Sequence, residues 1–196
     1  MRNIVKPALA LAALALAAAT SAAPAAVAAE ARPAGTASIA SVGNGTNLKS
    51  GLDFAWIHLQ PSYNTEHLVV NRGDNLSAVC ATYAGGEWWN LIFDSNKTFA
   101  GYTLASYLTA PTRTDCNNIG VRGTVTGETW VHMYPHADWA YLVANNGDAV
   151  APICYVGNTD TDGQWHLFDL VVDRSNQVAG FAVDFAVTAP TPSYAC

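Results

Sequence analysis

Trp56-Ile57-His58-Leu59-Gln60-Pro61 and Trp130-Val131-His132-Met133-Tyr134-Pro135 are one hexapeptide pattern met twice, 74 residues apart. Carried forward at that offset without gaps from position 56 to 80, nine of 25 positions are identical, where ordinary composition gives roughly two by chance. Trp56, His58 and Pro61 recur, then Leu68, Val69, Asn71, Gly73-Asp74 and Cys80 recur as Leu142, Val143, Asn145, Gly147-Asp148 and Cys154. Beyond Cys80 the register slips. Trp88 aligns with Trp165 at an offset of 77, and Asp94, Ala100, Gly101 and Thr109-Ala110-Pro111 align with Asp173, Ala179, Gly180 and Thr188-Ala189-Pro190 at 79. Self-similarity at a fixed period marks a tandem of one structural unit. The units are 52–116 and 124–196, joined by a linker at 117–123, and each ends on a lone cysteine, Cys116 and Cys196.

Within a unit, short apolar runs alternate with turn chemistry. Leu68-Val69-Val70 leads into the turn Asn71-Arg72-Gly73-Asp74, and a strand follows over 76–80. Trp88 to Phe93 is apolar except for Asn90, Asp94-Ser95-Asn96-Lys97 is a hairpin tip, and Gly101-Tyr102-Thr103-Leu104 returns. Strands at this spacing, without helical periodicity, predict an all-β chain of two small barrels. Trp88, Trp165, Trp56 and Trp130 recur between units and are expected in the cores.

Working outward, Arg2 and Lys6 precede an Ala/Leu run at 8–19, too short for a membrane span of roughly 20 residues. With the small residues Val27-Ala28-Ala29 behind it, the segment reads as a signal peptide, 1–29, and the chain as secreted. Residues 30–51 are Ala/Gly/Ser/Thr/Asn-rich and read as a flexible leader, with an edge strand over 37–42 as the alternative. The whole chain is 51% hydrophobic and 12% charged, with a net charge of −6. That composition excludes a disordered polyelectrolyte and offers no basic patch for nucleic acid. No second apolar run or lipidation cysteine suggests a membrane anchor, and a monomer is expected.

Four cysteines allow three pairings. Each repeat holds one mid-unit and one terminal cysteine, so Cys80–Cys116 and Cys154–Cys196 follow. A crosslink closing such a loop stabilises a core of this size by roughly 4 kcal/mol in the chain-entropy account.

Gly73-Asp74, Val79-Cys80, Trp88, Gly101-Tyr102-Thr103-Leu104 and Tyr107-Leu108, with Gly147-Asp148, Ile153-Cys154, Trp165 and Gly180-Phe181-Ala182-Val183, resemble in order the motifs of tandem bacterial SH3-like domains. The resemblance covers nearly all of the chain beyond the leader. It implies barrels of five to six strands, each closed by one disulfide, that bind cell-wall peptidoglycan or its peptide bridges rather than catalyse. The family's V-R-x-G-P segment is absent from both units, where Ile57-His58-Leu59-Gln60-Pro61 and Val131-His132-Met133-Tyr134-Pro135 stand instead, so any ligand role of its Arg and Gly does not carry over.

The candidate ligand-binding residues are Trp139, Tyr134, Tyr63, Trp89, His132 and His58. Trp89 and Trp139 have no aromatic counterpart in the other unit, where His166 and Thr65 stand. Together with Tyr63, Tyr83, Tyr134 and Tyr141 they can line a groove for peptide side chains or sugar rings, since aromatic faces suit both. His58 and His132 recur, which favours a structural hydrogen bond to a loop over ligand contact. His132 and His136 have the spacing of a helical metal pair, but Pro135 argues against a helix there. Asn158-Thr159-Asp160-Thr161-Asp162-Gly163 resembles the start of a calcium loop, with Asp169 at its twelfth position, yet position one is Asn, the last is Asp rather than Glu, and no helices flank it. It reads as a solvated hairpin tip. No metal and no cofactor are expected. G-x-S-x-G, H-E-x-x-H and P-loop patterns are absent. The expectation is a non-catalytic module for a cell-wall glycopeptide or an extracellular peptide or protein. The alternative is a secreted effector, such as a protease inhibitor or small hydrolase.

Overall fold

The computed structural model describes residues 43–119, 122–136, 141–190, 192 and 195–196. The signal peptide, the possible strand at 37–42 and Trp139 lie outside the described residues. The first repeat contributes β1 (Asn44–Thr46), β2 (Phe54–His58), β3 (His67–Asn71), β4 (Leu76–Ala84), β5 (Glu87–Asp94) and β6 (Phe99–Leu104). The second contributes β7 (Gly123–Val125), β8 (Thr129–His132), β9 (Tyr141–Ala144), β10 (Ala149–Thr159), β11 (Trp165–Asp173), β12 (Val178–Val183) and β13 (Val187–Thr188). Only short 3-10 turns interrupt the strands, and no α-helix occurs among the described residues. The expected all-β chain is therefore found, as two sheets.

Those sheets repeat one strand order. The first runs β1-β4-β5-β6-β2-β3 and the second β13-β7-β10-β11-β12-β8-β9, with antiparallel pairing throughout. Equivalent turns have equivalent chemistry. Asp74 Oδ2 accepts from Asn71 N at 2.7 Å and Asp148 Oδ2 from Asn145 N at 2.7 Å, beside Gly73 and Gly147 at φ 93° and 88°. Each copy also carries a β-bulge just before its mid-strand cysteine, between Ala78 and Cys80 and between Pro152 and Cys154. The extra residue turns two neighbours, Val79-Cys80 and Ile153-Cys154, toward the same core. Both predicted disulfides are present, with Cα atoms 4.9 Å apart for Cys80–Cys116 and 5.1 Å for Cys154–Cys196.

The pairing corrects three expectations. Residues 44–46 belong to the sheet as β1, and Leu48 is buried, so the ordered part begins before the expected leader ends. Asn-Gly-Thr shows no strand pattern because an edge strand is defined by the partner it pairs with. Next, Trp56, Trp88, Trp130 and Trp165 are all exposed, by 41% or more. Strand alternation is the reason: Ile57, Val131 and Trp89 take the inward slots, which turns Trp56, Trp130 and Trp88 outward. Third, Trp88 is not the counterpart of Trp165. The β4–β5 ladder pairs Cys80 with Leu91 and the β10–β11 ladder pairs Cys154 with Leu170, so the offset is already 79 throughout β11. The five inserted residues all sit in the longer β10–β11 hairpin. Trp88 corresponds to Leu167, and Trp89 to Phe168, which is buried as Trp89 is.

One hydrophobic cluster draws on both sheets. Trp89, Leu91, Phe93 and Tyr102 pack with Phe168, Leu170, Val172 and Phe181, and the rings of Phe93 and Phe181 meet edge-on at 6.3 Å. Two backbone hydrogen bonds cross between the repeats at matching positions. Ala100 N donates to Met133 O at 2.9 Å, and Ala179 N donates to Leu59 O at 2.9 Å. Gly101 lies beside this seam, where a Cβ would come within 2.8 Å of His58 O, so β2 and β6 can approach only because that side chain is absent. Both repeats fall within one compact unit.

Candidate functional site

The outward face of β2 carries Phe54 and Trp56, and its last residue is His58. The β2–β3 loop brings Tyr63 over Trp89 of β5, with ring centroids 4.9 Å apart. Leu104 at the end of β6 and Tyr107 in the following turn complete a cavity of about 340 Å³. Three candidates named from the sequence, His58, Tyr63 and Trp89, thus meet in one groove.

A second, smaller cavity of about 170 Å³ occupies the matching place in the other repeat. Its walls are Glu128, Thr129, Trp130, His132, Phe168 and Val183. In the structural register these stand for Phe54, Ala55, Trp56, His58, Trp89 and Leu104, position by position. Trp130 stacks on Tyr141 at 4.9 Å, near parallel, so each groove offers an exposed indole held by a neighbouring ring. In the first repeat that neighbour is His67, 4.7 Å from Trp56.

The polar groups around the first groove are already engaged. His58 Nδ1–H donates to Thr65 O at 3.2 Å. Burial lowers its pKa, the bond to Thr65 works against that, and His67 lowers it further, so the ring stays neutral near pH 7. This is the structural role expected for the recurring histidine. Tyr63 Oη donates to Glu87 Oε2 at 2.6 Å, and that bond, more than burial, pushes the phenol up to about 12. Trp89 Nε1–H is spent on Ala84 O at 3.2 Å. The groove therefore supplies ring faces with a sparse polar rim, which suits stacking rather than proton transfer.

The other sequence candidates lie elsewhere. Tyr134 packs edge-on against Phe99 of the first repeat at 5.5 Å and stacks on His136, away from both grooves. It lines a separate cavity of about 260 Å³ with Lys97, Pro135 and Asn158. Trp89 is in the groove but only as its buried floor. Tyr83 packs against Trp88 on the outer face of the β4–β5 hairpin. The sequence reading missed Phe54, Trp56 and Trp130, having assigned the recurring tryptophans to the core. The signal was available in the period-two pattern Phe54-Ala55-Trp56-Ile57, which cannot bury both Trp56 and Ile57 on one face.

The calcium-like segment is the tip of the β10–β11 hairpin. Asp160, Asp162 and His166 bring donor atoms within 4.8 Å of one another there, and these three could hold a cation. His166 Nε2 and Asp162 Oδ2 are 3.2 Å apart. Asp169 is no part of that group. It is buried in β11, where desolvation, then Asp184, pushes its carboxyl up to about 7. Among the described residues no helix is long and apolar enough to cross a membrane, and two disulfides fit an oxidising compartment. Comparison of the chain with protein-family models, curated proteins and solved structures returns no match.

Proposed function

We propose that this chain is a secreted, non-catalytic binding module for cell-wall peptidoglycan or an extracellular peptide, built from two SH3-like units that each present an aromatic groove. The observation that carries the reading is the recurrence of the groove. A cavity formed by accident need not reappear around equivalent residues in a second copy, and the residues that reappear are an outward indole, a buried histidine and an aromatic floor. Exposed indoles add apolar area to water, which a fold retains at two matching positions when a partner covers them. The signal peptide expected at 1–29 and the two disulfides support a partner outside the cytoplasm.

The test is retention of the purified protein on peptidoglycan, beside a glycan and peptide array. Trp56→Ala and Trp130→Ala should each weaken retention several-fold, because stacking of a ligand ring on an indole contributes roughly 0.5–1.5 kcal/mol per contact. Both side chains are outward, so far-UV dichroism and the unfolding midpoint should stay close to those of the parent. Retention unchanged in the double variant rejects the grooves as the binding site.

A further inference from the structure

The aromatic groove of the first repeat adjoins a second cavity of about 320 Å³. Leu104 lines both, and Glu87, the acceptor of the Tyr63 hydroxyl, lines the second. Lys49 and Arg113 also line this second cavity, together with Trp88 of β5. The Arg113 guanidinium lies over the Trp88 ring, 4.8 Å from its centroid.

These two cations differ from Arg72 and Lys97, which are paired with acids, and from Arg174, which is spent on a backbone carbonyl. Arg72 pairs with Asp53 at 3.2 Å, Lys97 pairs with Asp74 at 2.6 Å, and Arg174 donates to Ile119 O at 2.6 Å. Lys49 and Arg113 have no ion pair among the described residues, in a chain whose acids outnumber its bases, 15 to 9. Glu87 is the acid nearest at hand, and its Oε2 is held by Tyr63 instead. Stacking on Trp88 fixes the plane of Arg113, leaving its N–H edge available for a planar acceptor. The second repeat builds nothing comparable. Ala105 is replaced there by Asp184, and 191–194, which aligns with 112–115, contains no cation.

We propose that Lys49 and Arg113 form a carboxylate site, and that the ligand of the first repeat is a peptide whose ring or apolar side chain lies in the aromatic groove while a free carboxylate reaches this cavity. The assignment rests on the aromatic groove being a binding site, and it makes the two repeats unequal: the first reads ring plus acid, the second ring alone. Charge complementarity is the argument for an acidic occupant, because two cations without acidic partners gain most from a group that brings one.

The experiment is titration of the full exported chain, followed by NMR of the tryptophan indole and Arg113 Nε–H signals. The probes are N-acetyl-Phe-Gly-Ala as the free acid, the same peptide as its carboxamide, and glucuronate. The free acid should shift Trp56, Trp88 and Arg113 together and bind about five- to tenfold more tightly than the amide at low salt, as one charge-assisted contact at a partly exposed site predicts. Lys49→Ala and Arg113→Gln should each remove most of that difference and leave amide binding unchanged. Equal affinity of acid and amide, with Trp56 still responding, overturns the carboxylate site while leaving the groove intact. No response at Trp56 to either peptide overturns the groove reading, and the carboxylate assignment with it. Glucuronate binding as tightly as the acid peptide overturns the peptidic assignment in favour of an acidic glycan.

Discussion

Asp169 and Asn90 occupy the same buried place in the two repeats. Asn90 is fully satisfied there: its Nδ2 donates to Thr112 O at 3.2 Å and its Oδ1 accepts from Thr112 N at 2.9 Å. Asp169 keeps the position and burial, but its Oδ1 has no hydrogen-bond partner among the described residues. An ionised carboxylate is costly in such a place, so burial first and the neighbouring Asp184 second push its pKa up to about 7. A carboxyl whose pKa rises on folding stabilises the fold while it holds its proton. That contribution is complete below about 4, the unfolded value, and is lost as the pH climbs through about 7. Asp169→Asn should therefore raise unfolding free energy at pH 8 by roughly 2–4 kcal/mol and remove most of the pH 5 to pH 8 loss. Urea unfolding of parent and variant at both pH values measures this, and an identical pH dependence in the two would show that Asp169 is not the group responsible. His58 has the opposite slope. Its lowered pKa costs stability as the pH falls through 6.5 toward its folded value, so below 6.5 the two effects overlap with opposite sign, and the comparison of Asp169→Asn with the parent isolates the Asp169 part.

At the scale of the element, the β5–β6 and β11–β12 hairpins show how closely the copies agree. In each tip an aspartate accepts from the two backbone amides that follow: Asp94 from Asn96 and Lys97 N, and Asp173 from Ser175 and Asn176 N. In each, the residue closing the tip has positive φ, Thr98 at 54° and Gln177 at 55°. The left-handed region costs an L-residue about 1–2 kcal/mol, of which glycine recovers all but its greater entropy loss of about 0.5–1 kcal/mol. Gln177→Gly and Thr98→Gly should each stabilise the protein by about 0.5–1 kcal/mol, read as a higher denaturant midpoint at unchanged slope. A lower midpoint in both would mean the side chains contribute contacts that outweigh the backbone strain. Such tips, like the Asn-x-Gly-Asp turns and the cysteine pairing, were legible in the sequence because their chemistry is local or set by the repeat itself. The orientation of the tryptophans was not, because recurrence at Trp56 and Trp130 was taken as a sign of burial when the exposed face recurs too. The true partner of Trp89 was hidden by the five-residue insertion. Only strand pairing shows that the slip is complete before β11 begins, so that Phe168 rather than His166 stands opposite. Three of the nine residues that line the first groove were visible in the sequence. His58, Tyr63 and Trp89 were named for their chemistry, whereas Phe54 and Trp56 needed the sheet to turn them outward.

For the whole molecule, the shared interior means that duplication here has produced more than two beads on a string. The largest hydrophobic cluster takes Phe93, Tyr102 and Trp89 from one sheet and Phe181, Phe168 and Leu170 from the other. Met133 of the second repeat is buried in a cluster otherwise formed by the first. Alone, a repeat would expose this face to water. At about 25 cal/mol per Å² of apolar area, a few large side chains amount to several kcal/mol, as much as a core of about 65 residues can be expected to hold in reserve. The hydrogen bonds from Ala100 to Met133 and from Ala179 to Leu59 would go to solvent as well. The two sheets should therefore unfold together. Phe181→Ala, at a fully buried site, should cost about 3–5 kcal/mol, and the loss should lower the transition of both repeats equally because Phe93 loses its partner across the seam. The indole N–H signal of Trp89 reports the first repeat and the amide signals of β11 report the second, so one unfolding curve from both probes is the expected result. As a second measurement, residues 43–119 expressed alone with their disulfide closed should bind a hydrophobic dye and show poor amide dispersion, and adding 122–196 should release the dye and restore the dispersion. If the excised repeat instead unfolds cooperatively as a monomer, or if Phe181→Ala leaves the Trp89 transition where it was, each repeat has a sufficient core of its own and the seam is only a docking contact.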